Sequence, residues 1–206
     1  MDKRERARPM APEARREELI LATRPLLLEH GRATTTKLIA EAAGIAEGTI
    51  FRIFPTKEEL FQAVLDAEFA PDPFLAELER VPADVELRER MLALTRLMQR
   101  RFQSIFRMMI AMGMPKPPNR RREDGEQFRK HVEQQMTALL EPDARAFRVP
   151  LTEVVRMLRL LTFSGTHPHI SDDQALTAEE IVDVILHGTL RRSPRPEEAR
   201  PEEADL

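Results

Sequence analysis

The feature that most constrains this chain is a pair of short helical segments separated by a glycine, within residues 35–57. Thr35 or Thr36 is suited to cap the first segment, because a threonine oxygen accepts a hydrogen bond from a free N–H group of a first turn. Gly44 then ends that helix, since glycine readily adopts the left-handed conformation of a C-terminal cap. A tight turn and a second short helix follow. The pattern predicts a helix-turn-helix.

The second helix of this motif is predicted to have two different faces. Ile50 and Phe54 are four residues apart, so they lie on one face and pack inward. Gly48, Thr49 and Arg52 point the other way. Small residues near the start of a helix let its backbone approach a base edge or a phosphate, and an arginine supplies a fork of donors. We therefore expect this helix to dock on DNA.

The same stretch resembles the DNA-binding signature of TetR-type transcriptional regulators, over about residues 15–65. In that family an Ile-Ala-x-x-Ala-Gly helix precedes a Gly-Thr-aliphatic-aromatic-x-x-Phe recognition helix. The matching positions here are Ile39, Ala40, Ala43, Gly44, Ile45, Gly48, Thr49, Ile50, Phe54, Thr56, Lys57 and Leu60. The chain departs from the pattern at Phe51, where tyrosine is common, and at Ile53, where tyrosine or histidine is common. Neither side chain has a polar tip that donates to a phosphate.

The resemblance implies a homodimeric repressor that is released from a palindromic operator in double-stranded DNA by a small hydrophobic ligand. The candidate DNA contacts are Thr36, Lys37, Glu47, Gly48, Thr49, Phe51, Arg52, Ile53 and Lys57. The alternative is a helical ligand-binding dimer, or an enzyme, whose N-terminal domain no longer binds DNA; the apolar tips of Phe51 and Ile53 favour it. No nucleophile elbow or Gly-rich phosphate loop is present in the sequence, so we predict no catalytic residues and no cofactor.

The remainder of the 206-residue chain has helical spacing and no strand pattern. We predict an all-α protein with an N-terminal three-helix helix-turn-helix domain and a larger C-terminal helical domain for ligand binding and dimerisation. Pro25 removes a backbone hydrogen bond and should kink the first helix. The predicted parts are a disordered basic arm (1–14), the DNA-binding domain (15–70), the helical domain (71–192) and a disordered acidic tail (193–206). The predicted helices outside the motif are 12–30, 56–69, 74–80, 84–112, 123–140, 151–164 and 178–191, with a polar loop at 165–174.

Charge and composition set weaker limits. The net charge is −3, although residues 1–57 hold 11 Lys and Arg against 8 Asp and Glu, an excess that permits DNA binding without demonstrating it. Cysteine is absent, which excludes disulfides and suits a reducing cytosol. No apolar run approaches the roughly 18 residues of a membrane span. We therefore expect a cytoplasmic protein with no membrane partner.

Two sets of apolar residues are assigned in the helical domain. The candidate ligand-binding residues are Phe102, Phe106, Met109, Phe128, Met136 and Met157, although methionines on inward faces also serve as ordinary core packing. The predicted helices 151–164 and 178–191 each carry an apolar stripe, and these two helices from each of two subunits predict a four-helix interface. Its residues are Val154, Leu158, Leu161, Ile181, Ile185, Leu186 and Leu190.

One short segment of the sequence contains several potential metal ligands. His167 and His169 lie close in sequence to Asp172 and Asp173, and imidazole and carboxylate together suit several divalent ions. A polar loop between helices explains the same residues, so we predict no metal site.

Overall fold

The computed structural model describes residues 11–117 and 122–191, in which helices are joined by turns and loops. The helices are α1 (Pro12–His30), α2 (Thr36–Ala43), α3 (Glu47–Ile53), α4 (Lys57–Glu68), α5 (Asp72–Leu78), α6 (Leu87–Ala111), α7 (Arg122–Leu140), α8 (Leu151–Thr166) and α9 (Ala178–Thr189). Short 3-10 helices occupy Gly31–Ala33 and Glu141–Ala146. Within the described ranges there is one isolated β-bridge, between Phe147 and Leu190, and no strand, which confirms the all-α prediction.

The described chain divides into two compact units. The first unit comprises residues 11–79, 100–117 and 122–128, and the second comprises residues 80–99 and 129–191. The long helix α6 therefore contributes its N-terminal half to the second unit and its C-terminal half to the first. Most of the predicted basic arm and all of the predicted acidic tail lie outside the described residues.

The core of the first unit is built from the inward faces of α1 to α4. Leu27, Ile39, Ile50 and Leu60, one from each helix, are completely buried. Met108 from the end of α6 joins the same cluster. Burial of a large apolar side chain stabilises a fold by roughly 1.5–3 kcal/mol, so this cluster fixes the helix-turn-helix on a rigid support.

The end of α6 packs closely on the turn after α1. Gly31 has φ 55°, and a Cβ added there would lie 2.1 Å from the carbonyl oxygen of Ala111. Arg32 donates from Nε to the carbonyl oxygen of Met112 at 3.2 Å. The residue at position 31 is therefore restricted to glycine both by its conformation and by the approach of α6.

A buried carboxylate joins three helices of the first unit. Glu68 in α4 accepts hydrogen bonds from Arg24 Nε in α1, at 2.6 Å, and from the Ser104 hydroxyl in α6. Burial raises the pKa of the Glu68 carboxyl, but the hydrogen bonds from Arg24 and Ser104 outweigh it, so the pKa falls below its ordinary value. Arg101 also donates to the carbonyl oxygens of Glu68 and Ala70, at the C-terminal end of α4.

In the second unit, α8 and α9 pack against each other. Thr177 and Glu180 form a capping box at the start of α9, in which each side chain accepts from the other residue's backbone N–H. Arg88, near the start of α6, pairs with Asp183 of α9 at 2.7 Å. Arg90 is buried and donates to Asp143 at 2.8 Å. Polar links over long sequence separations therefore supplement the apolar packing.

Several helix boundaries differ from the sequence prediction. The helix α5 starts at Asp72 rather than residue 74, and α6 starts at Leu87 rather than residue 84. The predicted loop at 165–174 is wrong at its start, because α8 continues through Thr166. Gly165 lies inside this helix, and a larger residue would not fit there unchanged, because an added Cβ would lie 2.8 Å from the Leu176 side chain.

Candidate nucleic-acid interface

The turn between α2 and α3 is formed by local hydrogen bonds. Thr35 caps α2, its side chain accepting from the Leu38 N–H at 3.2 Å. Gly44 ends the helix in the left-handed conformation, with φ 63° and ψ 34°. Ile45 donates its N–H back to the carbonyl oxygen of Ala40 at 3.0 Å. This C-terminal cap reverses the chain and directs α3 away from α2.

The helix α3 has the two faces that its sequence predicts. Ile50 is completely buried and Phe54, the residue that ends the helix, is 2% exposed. Arg16 from α1 lies over the Phe54 ring, 4.7 Å from its centroid. Gly48 and Arg52 are exposed on the other side. The buried face anchors the helix, and the exposed face is available to a partner.

The remaining predicted contacts on α3 differ in how accessible they are. Phe51 is 47% exposed, and Glu47 is exposed at the start of the helix. Thr49 is half-buried. Ile53 is also half-buried and packs against the core, so only part of its side chain is accessible.

Two of the predicted DNA contacts, Thr36 and Lys57, already have partners inside the protein. The Thr36 hydroxyl donates to Glu47 Oε1. Lys57 Nζ donates to the carbonyl oxygens of Arg32 and Thr34, at 3.5 and 3.4 Å, and lies 5.2 Å from the centroid of the Phe61 ring. A phosphate contact by either side chain therefore replaces or extends an internal contact.

Unlike Thr36 and Lys57, Lys37 and Arg52 have no internal partner among the described residues. Both side chains are exposed, and among the described residues neither has a hydrogen-bond or ion-pair partner. Long cations without internal partners are well suited to the phosphates and guanine edges of DNA.

The residues assigned to the subunit interface lie largely in the core of the second unit. Val154, Leu158 and Ile181 are fully buried, Ile185 and Leu186 are at most 9% exposed, and Leu161 and Leu190 are half-buried. Most of these side chains are thus buried within the protomer, and their place in a subunit interface stays a prediction. The large apolar side chains that these helices expose are Leu160, Phe163 and Val184, which sequence reasoning missed. The i, i+3 spacing of Leu160 and Phe163 was the available signal.

The residues assigned to the ligand pocket are distributed over the two units. In the first, Phe102 stacks on Phe106 with ring centroids 6.2 Å apart, and Phe128 meets Phe74 edge to face at the same separation. Met109 packs partly against the apolar core of that unit.

In the second unit, Met136 is completely buried and Met157 is half-buried. A groove of about 590 Å³ lies along α7 in this unit, and neither methionine lines it. The surface exposed in it is mainly apolar, although most of the residues that form it have polar side chains: Lys130, Glu133, Gln134, Thr137, Ala138, Glu141 and Thr152.

No metal cluster forms around the loop histidines. The rings of His167 and His169 lie 5.8 Å apart. Across the described residues, no group of three His, Cys, Asp or Glu side chains is placed to hold an ion. None of the helices in the same residues combines the length and apolarity of a membrane span.

Comparison with known structures supports the fold over most of the chain. A TetR transcription regulator from Haloarcula marismortui is 20% identical, with 87% of this chain and 100% of that chain covered at a TM-score of 0.58. The protein described as superantigen PfiT is 23% identical, with 89% and 100% covered at 0.57. The ketosteroid transcriptional regulator KstR2 of Mycobacterium tuberculosis is 21% identical, with 86% and 96% covered at 0.54. At these identities the similarity establishes the fold alone.

The family assignment comes from the N-terminal sequence. Residues 19–64, from the middle of α1 to the last turns of α4, match the family described as bacterial regulatory proteins, tetR family. These residues include the whole helix-turn-helix and most of its apolar support. Over residues 19–64, the helix-turn-helix and its support therefore match the tetR family of bacterial regulatory proteins.

Proposed function

We propose that the chain is a homodimeric repressor that binds a near-palindromic operator through α2 and α3 and is released from it by a hydrophobic small molecule. The observation that carries the DNA-binding part is the exposed face of α3. On that face Arg52 has no hydrogen-bond or ion-pair partner among the described residues, and it lies one turn from the exposed Gly48.

Gly48 has no structural explanation inside the chain. A Cβ added at this position would meet nothing within 4 Å, and its φ is not in the left-handed range. Glycine inside a helix costs about 1 kcal/mol relative to alanine. Close approach of an external backbone or base edge is a physical reason to have glycine there.

Arg52 is the side chain on α3 best suited to read a base. Its guanidinium matches the O6 and N7 acceptors of guanine with two parallel hydrogen bonds. Lys57, at the start of α4, is suited instead to a phosphate, because its single charge carries no directional preference for a base.

These two roles predict different mutant behaviour. Arg52→Ala should weaken binding by roughly 1–3 kcal/mol and relax preference at one base position in each half-site. Lys57→Ala should weaken binding to all sequences alike and reduce the salt slope by about one. Arg107→Ala, which removes an exposed arginine from α6, is the charge-matched control and should change neither property.

The measurement is selection of operators from a random DNA pool, followed by fluorescence anisotropy at several salt concentrations. If Arg52→Ala and Lys57→Ala both bind selected DNA like the wild type, α2 and α3 are not the DNA surface. If the wild type selects no DNA, the chain is not a DNA-binding regulator.

The two-fold operator follows from the proposed dimer. Two recognition helices related by a two-fold axis enter successive major grooves about 34–36 Å apart, so the half-sites should form a near-palindrome. The exposed apolar side chains of α8 and α9 support this assembly, because large apolar groups on the surface of a helix are typical of interfaces.

Ligand release requires a molecule that binds the DNA-incompetent form more tightly than the DNA-bound form. The side chains that are buried in the helical domain are mostly apolar, which favours a hydrophobic ligand. A thermal-shift screen of apolar and charged molecules, followed by operator release with the hits, tests this. Hits confined to polyanions or sugars would contradict a hydrophobic effector.

A further inference from the structure

We propose that Glu47, oriented by Thr36, selects a cytosine in each half-site of the operator. The inference rests on the proposed DNA-binding function and assigns a specificity-determining role within the same surface. Glu47 is an acidic residue on the exposed surface of α3, and a DNA-binding surface is expected to carry mainly neutral and basic groups.

The two residues join the starts of the two helices of the motif. Thr36 is the first residue of α2 and Glu47 is the first residue of α3. The Thr36 hydroxyl donates to Glu47 Oε1 across this gap, and the pair is exposed. Among the described residues, Oε2 of Glu47 takes part in no hydrogen bond or ion pair, so it can accept from an external donor.

A carboxylate at this position does not add to general DNA affinity. The phosphates of DNA repel a negative side chain, and contacts to phosphates account for most non-specific binding. A carboxylate carries only acceptors, and the cytosine amino group N4 is the major-groove donor that such a side chain reads in known pairings. The negative charge therefore lowers the affinity for DNA in general but raises the preference for sequences that place a donor at that position. A sequence without such a donor leaves the carboxylate unpaired near phosphates.

The contact with Thr36 distinguishes this role from a purely structural one. A glutamate in the first turn also offsets the dipole of a helix, but many side-chain orientations achieve that. The Thr36 hydroxyl instead holds one orientation, which is what base recognition requires. Glu47 is thus the reading residue, and Thr36 is a positioning residue.

The test is selection of operators from a random DNA pool by the full-length protein and its variants. The wild type should select a C·G pair at one position of each half-site. Glu47→Gln should bind DNA more tightly overall, reduce cytosine preference by on the order of tenfold, and move it towards adenine, which an amide reads. Thr36→Val should weaken the preference at this position alone, and Thr36→Ser, which keeps the donor, should retain it.

Glu41→Gln is the matched control, since it removes an exposed carboxylate from α2 and should leave every base preference unchanged. Wild-type operators without a fixed C·G pair would overturn the inference. It would also fail if Glu47→Gln tightened binding but kept the wild-type preference. Both results leave the proposed function standing, whereas a wild type that selects no DNA overturns that function itself.

Discussion

At the scale of single residues, the exposed face of α3 combines groups that contribute little to internal packing. A Cβ added at Gly48 would meet no described residue within 4 Å, and Phe51 leaves nearly half of its surface exposed. Arg52 has no partner among the described residues. Residues of this kind add little to folding, so substitutions here separate DNA affinity from stability.

Gly48→Ala should move these two properties in opposite directions. Alanine removes the conformational cost of glycine in a helix, so we expect the free energy of unfolding to rise by up to about 1 kcal/mol. Operator affinity should fall, because the added methyl group separates α3 from the DNA.

Gly125→Ala in α7 is the matched control, since an added Cβ also meets nothing within 4 Å there. It should stabilise the protein without changing affinity. Urea unfolding and fluorescence anisotropy measure the two effects. Unchanged affinity in Gly48→Ala would show that no partner approaches this backbone.

At the scale of helices, α6 and the turn after α1 are held together by a close backbone contact. Gly31 and Gly113 both have positive φ, at 55° and 61°, but only Gly31 faces a neighbouring carbonyl group. Gly113→Ala should therefore cost about 1–2 kcal/mol for conformation alone. Gly31→Ala should cost clearly more, because the Ala111 carbonyl group must also move. Equal unfolding free energies for the two variants would contradict the contact.

The buried Glu68 is the second link between helices. Glu68→Gln weakens charge-assisted hydrogen bonds with Arg24 and Ser104. The free energy of unfolding at pH 7 should therefore fall by about 1.5–3 kcal/mol. Solvent screening reduces this loss, because the Arg24 side chain is 40% exposed. Glu77→Gln, which removes an exposed pair with Arg100, should cost less than about 1 kcal/mol.

The Glu68 contribution should depend on pH. Its pKa is lower in the folded state than the ordinary value of 4.5, so the stabilisation is complete above that pH. It is lost as the pH falls through the folded pKa. Urea unfolding of the wild type and Glu68→Gln should therefore show a difference that shrinks below pH 4.5. A constant difference would mean that the carboxylate charge is not responsible.

At the scale of the whole molecule, assembly depends on side chains that the protomer leaves exposed. Val184 in α9 is 62% exposed and Ile185, the next residue, is 5% exposed. Val184→Glu should leave the protomer folded and convert the proposed dimer into a monomer. Ile185→Glu should unfold the protomer itself, because it buries an unpaired charge.

Leu21→Glu on α1, a site that is 69% exposed, provides the control for adding a charge to an exposed apolar position. Light scattering and circular dichroism distinguish the outcomes. If Val184→Glu remains a dimer as stable as the wild type, α9 does not form the subunit interface.

The sequence by itself determined the features that depend on neighbours a few residues away. The capping oxygens of Thr35 and Thr177, the left-handed Gly44 and the spacing of Ile50 and Phe54 involve contacts within about one helical turn. Such contacts leave a periodic signature, so the helices, the helix-turn-helix and its family could be predicted from the chain alone.

The tertiary structure decided which groups meet over long separations. Glu68 meets Arg24 and Ser104 from helices 44 and 36 residues away, and nothing in the local pattern predicts that pairing. The sequence pattern of α8 and α9 likewise does not indicate whether their apolar stripes face the core of the same subunit or a second subunit. Burial is a property of the packed chain, and only the structure shows that Val154 and Ile181 face inward while Val184 does not.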